Sequence, residues 1–320
     1  MKRLITVVVT LTMLLTLAAC SSNTSSDSGA AENDAQTEGT GYQVGYANLA
    51  DSDVNCRLTK EYFLEYAKQY EGMEVLASDA QNQIEKQIAD IENFIAQGVD
   101  TIIALPLDYE ALTPSVQAAN EAGIPFIAFR AQISGGDYVY CGSNDEDAGK
   151  LQAEYCIENL PENAKVLYMS GTLGMNHTTL RMNGFKDLLA AERPDVTIIA
   201  EQDGNYDRAK GMQITEDWIQ SYDEFDAIVC ANDQMALGAI EALKGARRLE
   251  GVQVLGVDAV DDALVAIEAG EMAMSAFQNA NEQAKACAEM ASKLAQGESV
   301  EDIYIPFEAV TKDNVAEYMK

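Results

Sequence analysis

The feature that most constrains the fold of this chain is a regular alternation of two hydrophobic patterns from residue 42 onward. Short apolar runs rich in β-branched residues have the length and composition of buried strands, and amphipathic stretches with helical spacing separate them. In QIEKQIADIENFIAQG, Ile84, Ile88, Ile91 and Ile95 lie along one face of a predicted helix. The predicted strands are VGYAN, EVLAS, DTIIALP, PFIAF, KVLYMSG, TIIAE, AIVCAN, VQVLGVD and MSAFQ. Repeated strand–helix–strand units predict right-handed crossovers and parallel sheets covered on both faces.

The length of the chain indicates how many hydrophobic cores it forms. The chain has 320 residues, and a single hydrophobic core rarely grows beyond about 250–300 residues. We therefore expect an α/β protein of two doubly wound parallel-sheet lobes rather than one large sheet.

The N-terminal segment has the pattern of an export signal. Lys2 and Arg3 precede the apolar run LITVVVTLTMLLTLAAC, which is too short to span a bilayer comfortably and ends in small residues before Cys20. Leu-Ala-Ala-Cys resembles the lipobox of bacterial lipoproteins, which implies a signal peptide at 1–19 and lipidation of Cys20; the alternative is a plain secretory peptide with an incidental cysteine. The polar residues 21–41 are predicted to form a flexible tether after Cys20.

Composition excludes several classes of function. The formal net charge is −31, so phosphate backbones repel the chain and nucleic acid is not an expected partner. With a single His and no nucleophile elbow, phosphate-binding loop or paired-carboxylate motif, we expect no enzyme, no metal and no cofactor. Apart from Cys20 there are five cysteines and no Cys-x-x-Cys pair, which favours buried free thiols.

Polar side chains follow several of the predicted strands at the point where each strand ends. Asn232 and Asp233 follow AIVC, and Asp233 is also placed to cap the next helix; Asp258, Arg130 and Gln278 end three other strands. In parallel α/β sheets ligands bind beyond the carboxyl ends of the strands. Each residue alone could equally be a helix cap or part of a solvated loop.

The order of several motifs resembles a known family. QGVDTIIALPLDYEALTPSVQAANEAGIPFIAF, GSNDEDAGKLQAEY, GTLGMNHTTLRMNGF, NYDRAKGMQ, CANDQMALGAIEALKG and VLGVD follow one another as in the ribose-type sugar-binding proteins of bacterial ABC transporters, from Tyr42 to about Gln296. Lactose-repressor-like regulators share this body but carry an N-terminal helix-turn-helix, where this chain has an export signal.

The resemblance implies the type I periplasmic binding protein architecture. Two lobes, 42–143 with 279–307 and 144–278 with 308–320, would be joined by a hinge of three crossings near Ser143, Gln278 and Phe307 and would close on a small ligand as rigid bodies. The implied partners are a sugar-like ligand, an ABC permease and its ATPase. The protein would be a monomer held outside the cell membrane by its lipid, either on a Gram-positive surface or in a periplasm. The alternative is a sensory receptor that presents its loaded form to a signalling kinase or chemoreceptor.

The resemblance also implies ligand contacts. The family's sugar contacts fall on Asp53, Arg181, Tyr206, Asn232, Asp258 and Gln278 of this chain. Arg181 would bridge adjacent hydroxyls with its fork of donors, and Tyr206 would pack on the apolar side of a sugar ring, although ordinary packing is the alternative for Tyr206. Mixed carboxylates, amides and guanidinium suit a polyhydroxylated ligand because each hydroxyl both donates and accepts.

Two departures from the family affect the expected specificity. Asn55 and Cys56 stand where the family has a pair of stacking aromatic residues, and Arg130-Ala131 replaces Asp-Arg. Asn55 and Arg130 are accordingly expected to contact the ligand at these positions. A cation in place of a carboxylate favours an acidic or otherwise modified sugar, unless Arg130 pairs with a carboxylate of the chain instead. His177 lies one helical turn before Arg181 and could also reach the ligand; exposure to water at a helix start is the alternative.

Overall fold

Two separate six-stranded sheets organise residues 41–319, the part of the chain that the computed structural model describes. The predicted signal peptide, Cys20 and nearly all of the predicted tether lie outside the described residues. We call the two sheets with the helices that cover them the first and the second lobe.

Most elements of the first lobe come from the first part of the chain. They are β1 (Tyr42–Asn48), α1 (Val54–Ala67), β2 (Met73–Asp79), α2 (Ile84–Gln97), β3 (Thr101–Ala104), α3 (Thr113–Glu121), β4 (Phe126–Phe129) and β5 (Val139–Gly142). The chain returns later to add α9 (Ala280–Ala295) and β11 (Ile303–Tyr304). Helix α9 packs against α1 and buries Ala284, Cys287 and Ala291 in the core of the first lobe.

The second lobe is built from the middle of the chain and its last residues. Its elements are α4 (Asp145–Asn159), β6 (Lys165–Ser170), α5 (Asn176–Glu192), β7 (Thr197–Asp203), α6 (Arg208–Ser221), β8 (Ala227–Cys230), α7 (Asp233–Ala246), β9 (Gln253–Asp258), α8 (Asp261–Glu268), β10 (Met274–Phe277), β12 (Glu308–Thr311) and a 3-10 turn (Val315–Glu317). The strand order is β11-β5-β4-β3-β1-β2 in the first sheet and β12-β10-β9-β8-β6-β7 in the second. The chain therefore crosses between the sheets after β5, after β10 and after β11.

Both faces of each sheet are buried, which explains why the strands read as continuous apolar runs rather than alternating ones. In the first sheet, Tyr46, Ile103 and Phe129 enter the core on one face, and their chain neighbours Ile102 and Ala128 enter the core on the other. The prediction of two doubly wound α/β lobes is confirmed. In the described residues, no helix is long and apolar enough to span a membrane.

The second sheet differs from the prediction in one strand. β12 runs antiparallel to β10, with Met274 paired to Thr311 and Phe277 to Glu308. The reason is topological: β10 runs toward the crossings and β12 enters its lobe from them, with no covering helix between β11 and β12 to reverse the direction. Four further elements, β5, β11, β12 and α8, were not predicted from the sequence. The five cysteines of the described residues are buried free thiols, as predicted.

Candidate functional site

A cavity of about 200 Å³ lies between the two lobes, beyond the carboxyl ends of strands from both sheets. All nine residues predicted to contact a ligand line this cavity: Asp53, Asn55, Arg130, His177, Arg181, Tyr206, Asn232, Asp258 and Gln278. The volume is below the roughly 300–1,000 Å³ of pockets for drug-sized ligands. The cavity therefore suits a small compound that both lobes contact at once.

Arg181 is fixed by a buried ion pair. Its Nε and Nη2 lie 2.9 and 2.8 Å from Oδ1 of Asp145, and its Nη1 donates to the carbonyl oxygen of Ala231 at 2.8 Å. Arg181 is only 4% exposed and Asp145 only 3%. Burial opposes the guanidinium charge, but Asp145 holds the pKa of Arg181 above its usual value. Arg181 therefore stays charged and keeps one orientation at the cavity wall.

The Asp145–Arg181 pair depends on unusually close packing of two helices. A Cβ atom at Gly149 of α4 would lie 2.0 Å from the backbone oxygen of Arg181 on α5. Only glycine permits this approach. It brings the first turn of α4, which contains Asp145, within reach of the guanidinium.

Arg130 is held differently, without a carboxylate. It follows β4 in a left-handed backbone conformation (φ 64°), is 8% exposed, and donates from Nη1 to the Thr59 hydroxyl at 3.2 Å and from Nη2 to Gln278 Oε1. Within residues 41–319, no carboxylate forms an ion pair with Arg130, and its buried Nε–H has no hydrogen-bond partner. A donor that is buried, unpartnered and at the cavity wall is suited to a ligand oxygen.

Asp258 supplies the opposing carboxylate. It ends β9 with φ 115°, and its Oδ1 accepts a 2.5 Å hydrogen bond from Asn55 Nδ2 of the first lobe. Burial raises the pKa of Asp258 to about 6, although the charges of Arg181 and Arg130 oppose that rise. The carboxylate is mostly ionised at neutral pH and can accept hydrogen bonds from hydroxyl groups.

The aromatic wall consists of Tyr206 and His177. Their ring centroids are 5.3 Å apart with an interplanar angle of 31°, and the Tyr206 hydroxyl lies 2.7 Å from the hydroxyl of Thr178. Burial, followed by the charges of Arg181 and Arg130, lowers the pKa of His177 well below its ordinary value, so the imidazole is neutral. This pair presents a partly apolar surface to the cavity.

The remaining predicted residues lie at helix starts and at a crossing. Asp53 caps α1 by accepting from Cys56 N at 2.8 Å, and Asn232 caps α7 by accepting from Met235 N at 3.0 Å. The prediction that Asp233 caps α7 was wrong by one residue, because Asp233 is the first helical residue and its side chain turns inward. Gln278 lies at the crossing after β10 and is 2% exposed.

Contacts between the lobes extend beyond the cavity and show a closed arrangement. Besides the Asn55–Asp258 bond, Tyr109 N donates to Gly174 O at 3.0 Å, and Asn176 Nδ2 lies 3.3 Å from Gln132 Oε1. Both of these contacts are made by the segment 172–177 of the second lobe, through Gly174 and Asn176. A ligand in the cavity would be shielded from water by this closure.

Three cavity-related residues were missed by the sequence analysis. Asp145 and Thr59 orient the two arginines, and Thr178 bonds the Tyr206 hydroxyl. A hint was present only for Asp145, which follows the expected first crossing near Ser143 and lies in the motif GSNDEDAGKLQAEY. In the described residues, no group of three or more His, Cys, Asp or Glu side chains could hold a metal ion.

Comparisons with known proteins identify the family of this chain. The model of the periplasmic binding protein domain family matches residues 45–299. A putative rhizopine-binding protein of Rhizobium meliloti is 39% identical over 262 residues, covering 79% of this chain and 85% of that protein. A xylitol-binding protein of Mycolicibacterium smegmatis is 32% identical over 260 residues, covering 80% and 73%.

A solved structure of an ABC transporter solute-binding protein from Bacillus halodurans, with bound myo-inositol, superposes with a TM-score of 0.82 at 35% identity and covers 87% of this chain and 98% of that one. The domain match spans most of the chain, and the fold superposes on nearly the whole of that structure. The chain therefore belongs to the periplasmic binding protein family.

Proposed function

We propose that this protein is the substrate-binding protein of an ABC importer and that it captures a small, uncharged polyhydroxylated compound between its lobes. The observation that carries the proposal is the cavity between the lobes, which guanidinium, carboxylate, amide and aromatic groups from both lobes line. The named relatives support it, since they include a xylitol-binding protein and a solute-binding protein with bound myo-inositol. They favour import over the sensory-receptor alternative, and solute-binding proteins of this kind are not enzymes.

The charge distribution around the cavity favours an uncharged ligand over the acidic sugar that Arg130 alone suggests. The charge of Arg181 is already neutralised by Asp145. Arg130 is then balanced by Asp258, while Asp53 also lines the cavity. An added carboxylate would meet two others, whereas a hydroxyl can donate to Asp258 and accept from Arg130.

We further propose that the lobes close on the ligand by bending at the three crossings near Ser143, Gln278 and Phe307. Residues 42–143 and 279–307 would then move as one body against residues 144–278 and 308–320.

The ligand class is tested by thermal unfolding of the purified protein with myo-inositol, xylitol, D-ribose, D-glucuronate and L-leucine. A compound present at 100 times its Kd stabilises the native state by about 2.7 kcal/mol, which raises the Tm by about 5–10 °C for a protein of this size. We expect such a shift with at least one of the three neutral polyols. A shift with D-glucuronate alone would overturn the neutral-ligand proposal, and a shift with L-leucine alone would overturn the polyol class.

The import function is tested separately, by ATP hydrolysis. With its permease and ATPase in proteoliposomes, the protein should stimulate ATP hydrolysis when the stabilising polyol is present. Absence of stimulation in a system that responds to another loaded binding protein would contradict the import function.

We also propose that the mature protein is a monomer anchored to the outer face of the membrane through a lipidated Cys20. The basic start, the short apolar run and Leu-Ala-Ala before Cys20 support the anchor, and the family's extracytoplasmic location agrees with it. Protein extracted from membranes should begin at a diacylated Cys20 by mass spectrometry. A Cys20→Ala variant should keep its signal peptide, and normal cleavage of that variant would contradict the lipoprotein assignment.

A further inference from the structure

The loop that presents Asp258 to the cavity has a strained backbone. Asp258 and Ala259 have φ values of 115° and 53°, a region that residues other than glycine rarely occupy. Such conformations persist only where the surrounding structure over-determines them. The loop must therefore be held by contacts that are stronger than its own conformational preference.

Two fully buried polar side chains supply these contacts. The Ser275 hydroxyl of β10 accepts from Ala259 N at 3.0 Å and donates to Asp233 Oδ1 at 2.6 Å. The other carboxylate oxygen of Asp233, Oδ2, accepts from Val260 N at 2.9 Å. The two backbone donors directly after Asp258 are thus both bound by the Ser275–Asp233 pair.

The sequence of β9 makes room for this pair. A Cβ atom at Gly256 would lie 2.1 Å from Oδ1 of Asp233, so a side chain at this position would displace the carboxylate. Gly256 is also the register partner of Ser275 in the neighbouring strand. The Asp233 carboxylate therefore fits against β9 only because residue 256 is glycine.

We propose that Asp233 and Ser275 are positioning residues, which hold the strained loop after β9 so that the Asp258 carboxylate is aimed at the ligand. The inference rests on the proposed function, because it treats Asp258 as a ligand contact. Neither residue lines the cavity, so both act through Asp258 and are expected to set affinity for a hydroxyl-bearing ligand without touching it.

The electrostatic surroundings of Asp258 provide a readout. Arg130 and Arg181 face it from the two lobes, as do the carboxylates of Asp53 and Asp233. Burial, with the charge of Asp258, raises the pKa of Asp233 as well. Ser275→Ala removes no charged group, but it does remove a hydrogen bond that favours the charged form of Asp233. The titration of Asp233 is therefore followed beside that of Asp258, and a change at Asp258 that exceeds the effect of Asp233 reports a change in the position of Asp258.

The binding test compares three variants by calorimetry with myo-inositol, xylitol and D-ribose as probes. Ser275→Ala removes the acceptor of Ala259 N, and we expect affinity for the bound polyol to fall about tenfold. Ser275→Thr keeps a hydroxyl and should restore most of it. Ser292→Ala is the matched control, because it removes a buried hydroxyl that bonds Tyr42 in the first lobe, and its affinity should equal that of the wild type. An equal loss in Ser292→Ala would overturn the proposal.

The second measurement needs no ligand. In protein labelled with ¹³C-aspartate, with the Asp258 resonance assigned through Asp258→Asn, Asp258 should titrate closer to the ordinary value of about 3.9 in Ser275→Ala than in the wild type. An unchanged titration together with unchanged affinity would overturn the positioning role. If the wild type binds none of the three polyols, the proposed ligand class fails, while the titration still decides whether Ser275 positions Asp258.

Discussion

Replacing Asp145 with alanine is expected to lower the free energy of unfolding by about 3–5 kcal/mol, because it leaves the guanidinium of Arg181 buried without its partner. Arg181 is 4% exposed, and its only other hydrogen bond given by the described residues goes to Ala231 O. The close approach of α4 and α5 at Gly149 leaves little room for water to replace the carboxylate. Urea denaturation followed by circular dichroism measures the change.

Two further variants separate the cause from general damage. The double variant Asp145→Ala, Arg181→Met removes the unpaired charge and should recover much of the lost stability, but not ligand binding. Glu65→Ala breaks an exposed pair with Lys68 and should cost at most about 1 kcal/mol. If Asp145→Ala costs no more than Glu65→Ala, the Asp145–Arg181 pair does not have the buried character that the structure gives it.

The two-lobed fold could be predicted because its evidence is repeated along the chain. Apolar runs such as TIIA and AIVC are buried on both faces, and a helix such as α2 has a clear apolar stripe. The missed elements are those with little pattern of their own. β11 has two residues, and α8 has only eight, too few to repeat a helical stripe.

The site was predictable to the extent that topology determines it. Arg130, Asn232, Asp258 and Gln278 each lie at the end of a strand or just after it, and the carboxyl ends of parallel strands meet at one edge. The structure brings these residues to one cavity; their contact with a ligand stays a prediction. Positioning residues could not be found this way, because a partner such as Ser275 is recognisable only once β9 and β10 lie side by side.

The two arginines of the cavity show why residue type alone did not reveal ligand charge. Arg181 and Arg130 are both buried at the cavity wall, yet only Arg181 has its charge neutralised by an ion pair. The charge left for the ligand therefore depends on Asp145, which lies 36 residues from Arg181 in the chain. We accordingly expect that breaking the Asp145–Arg181 pair mainly lowers stability, whereas replacing Arg130 mainly lowers ligand affinity.

Arg130→Met is expected to weaken polyol binding about 100-fold or more while changing the free energy of unfolding by no more than about 1 kcal/mol. Hydrogen bonds to a charged group contribute about 1.5–3 kcal/mol each, and two lost bonds exceed a hundredfold in Kd. Stability should change little, because within residues 41–319 Arg130 is in no direct ion pair, so its removal breaks only the bonds to Thr59 and Gln278 and relieves the burial of a charge. Methionine meets the same backbone cost at φ 64° as arginine. Calorimetry and urea denaturation measure the two effects.

Arg130→Lys tests whether the charge or the fork of donors matters. Lysine keeps the charge but cannot bond Thr59, Gln278 and a ligand oxygen with one planar group, so we expect affinity to stay low. Arg57→Met is the matched control, since Arg57 lies on the same lobe in an exposed 3.8 Å pair with Glu61 and should leave the Kd unchanged. Wild-type affinity in Arg130→Met would show that Arg130 serves the Thr59–Gln278 contacts alone, and full affinity in Arg130→Lys would show that a single charge suffices.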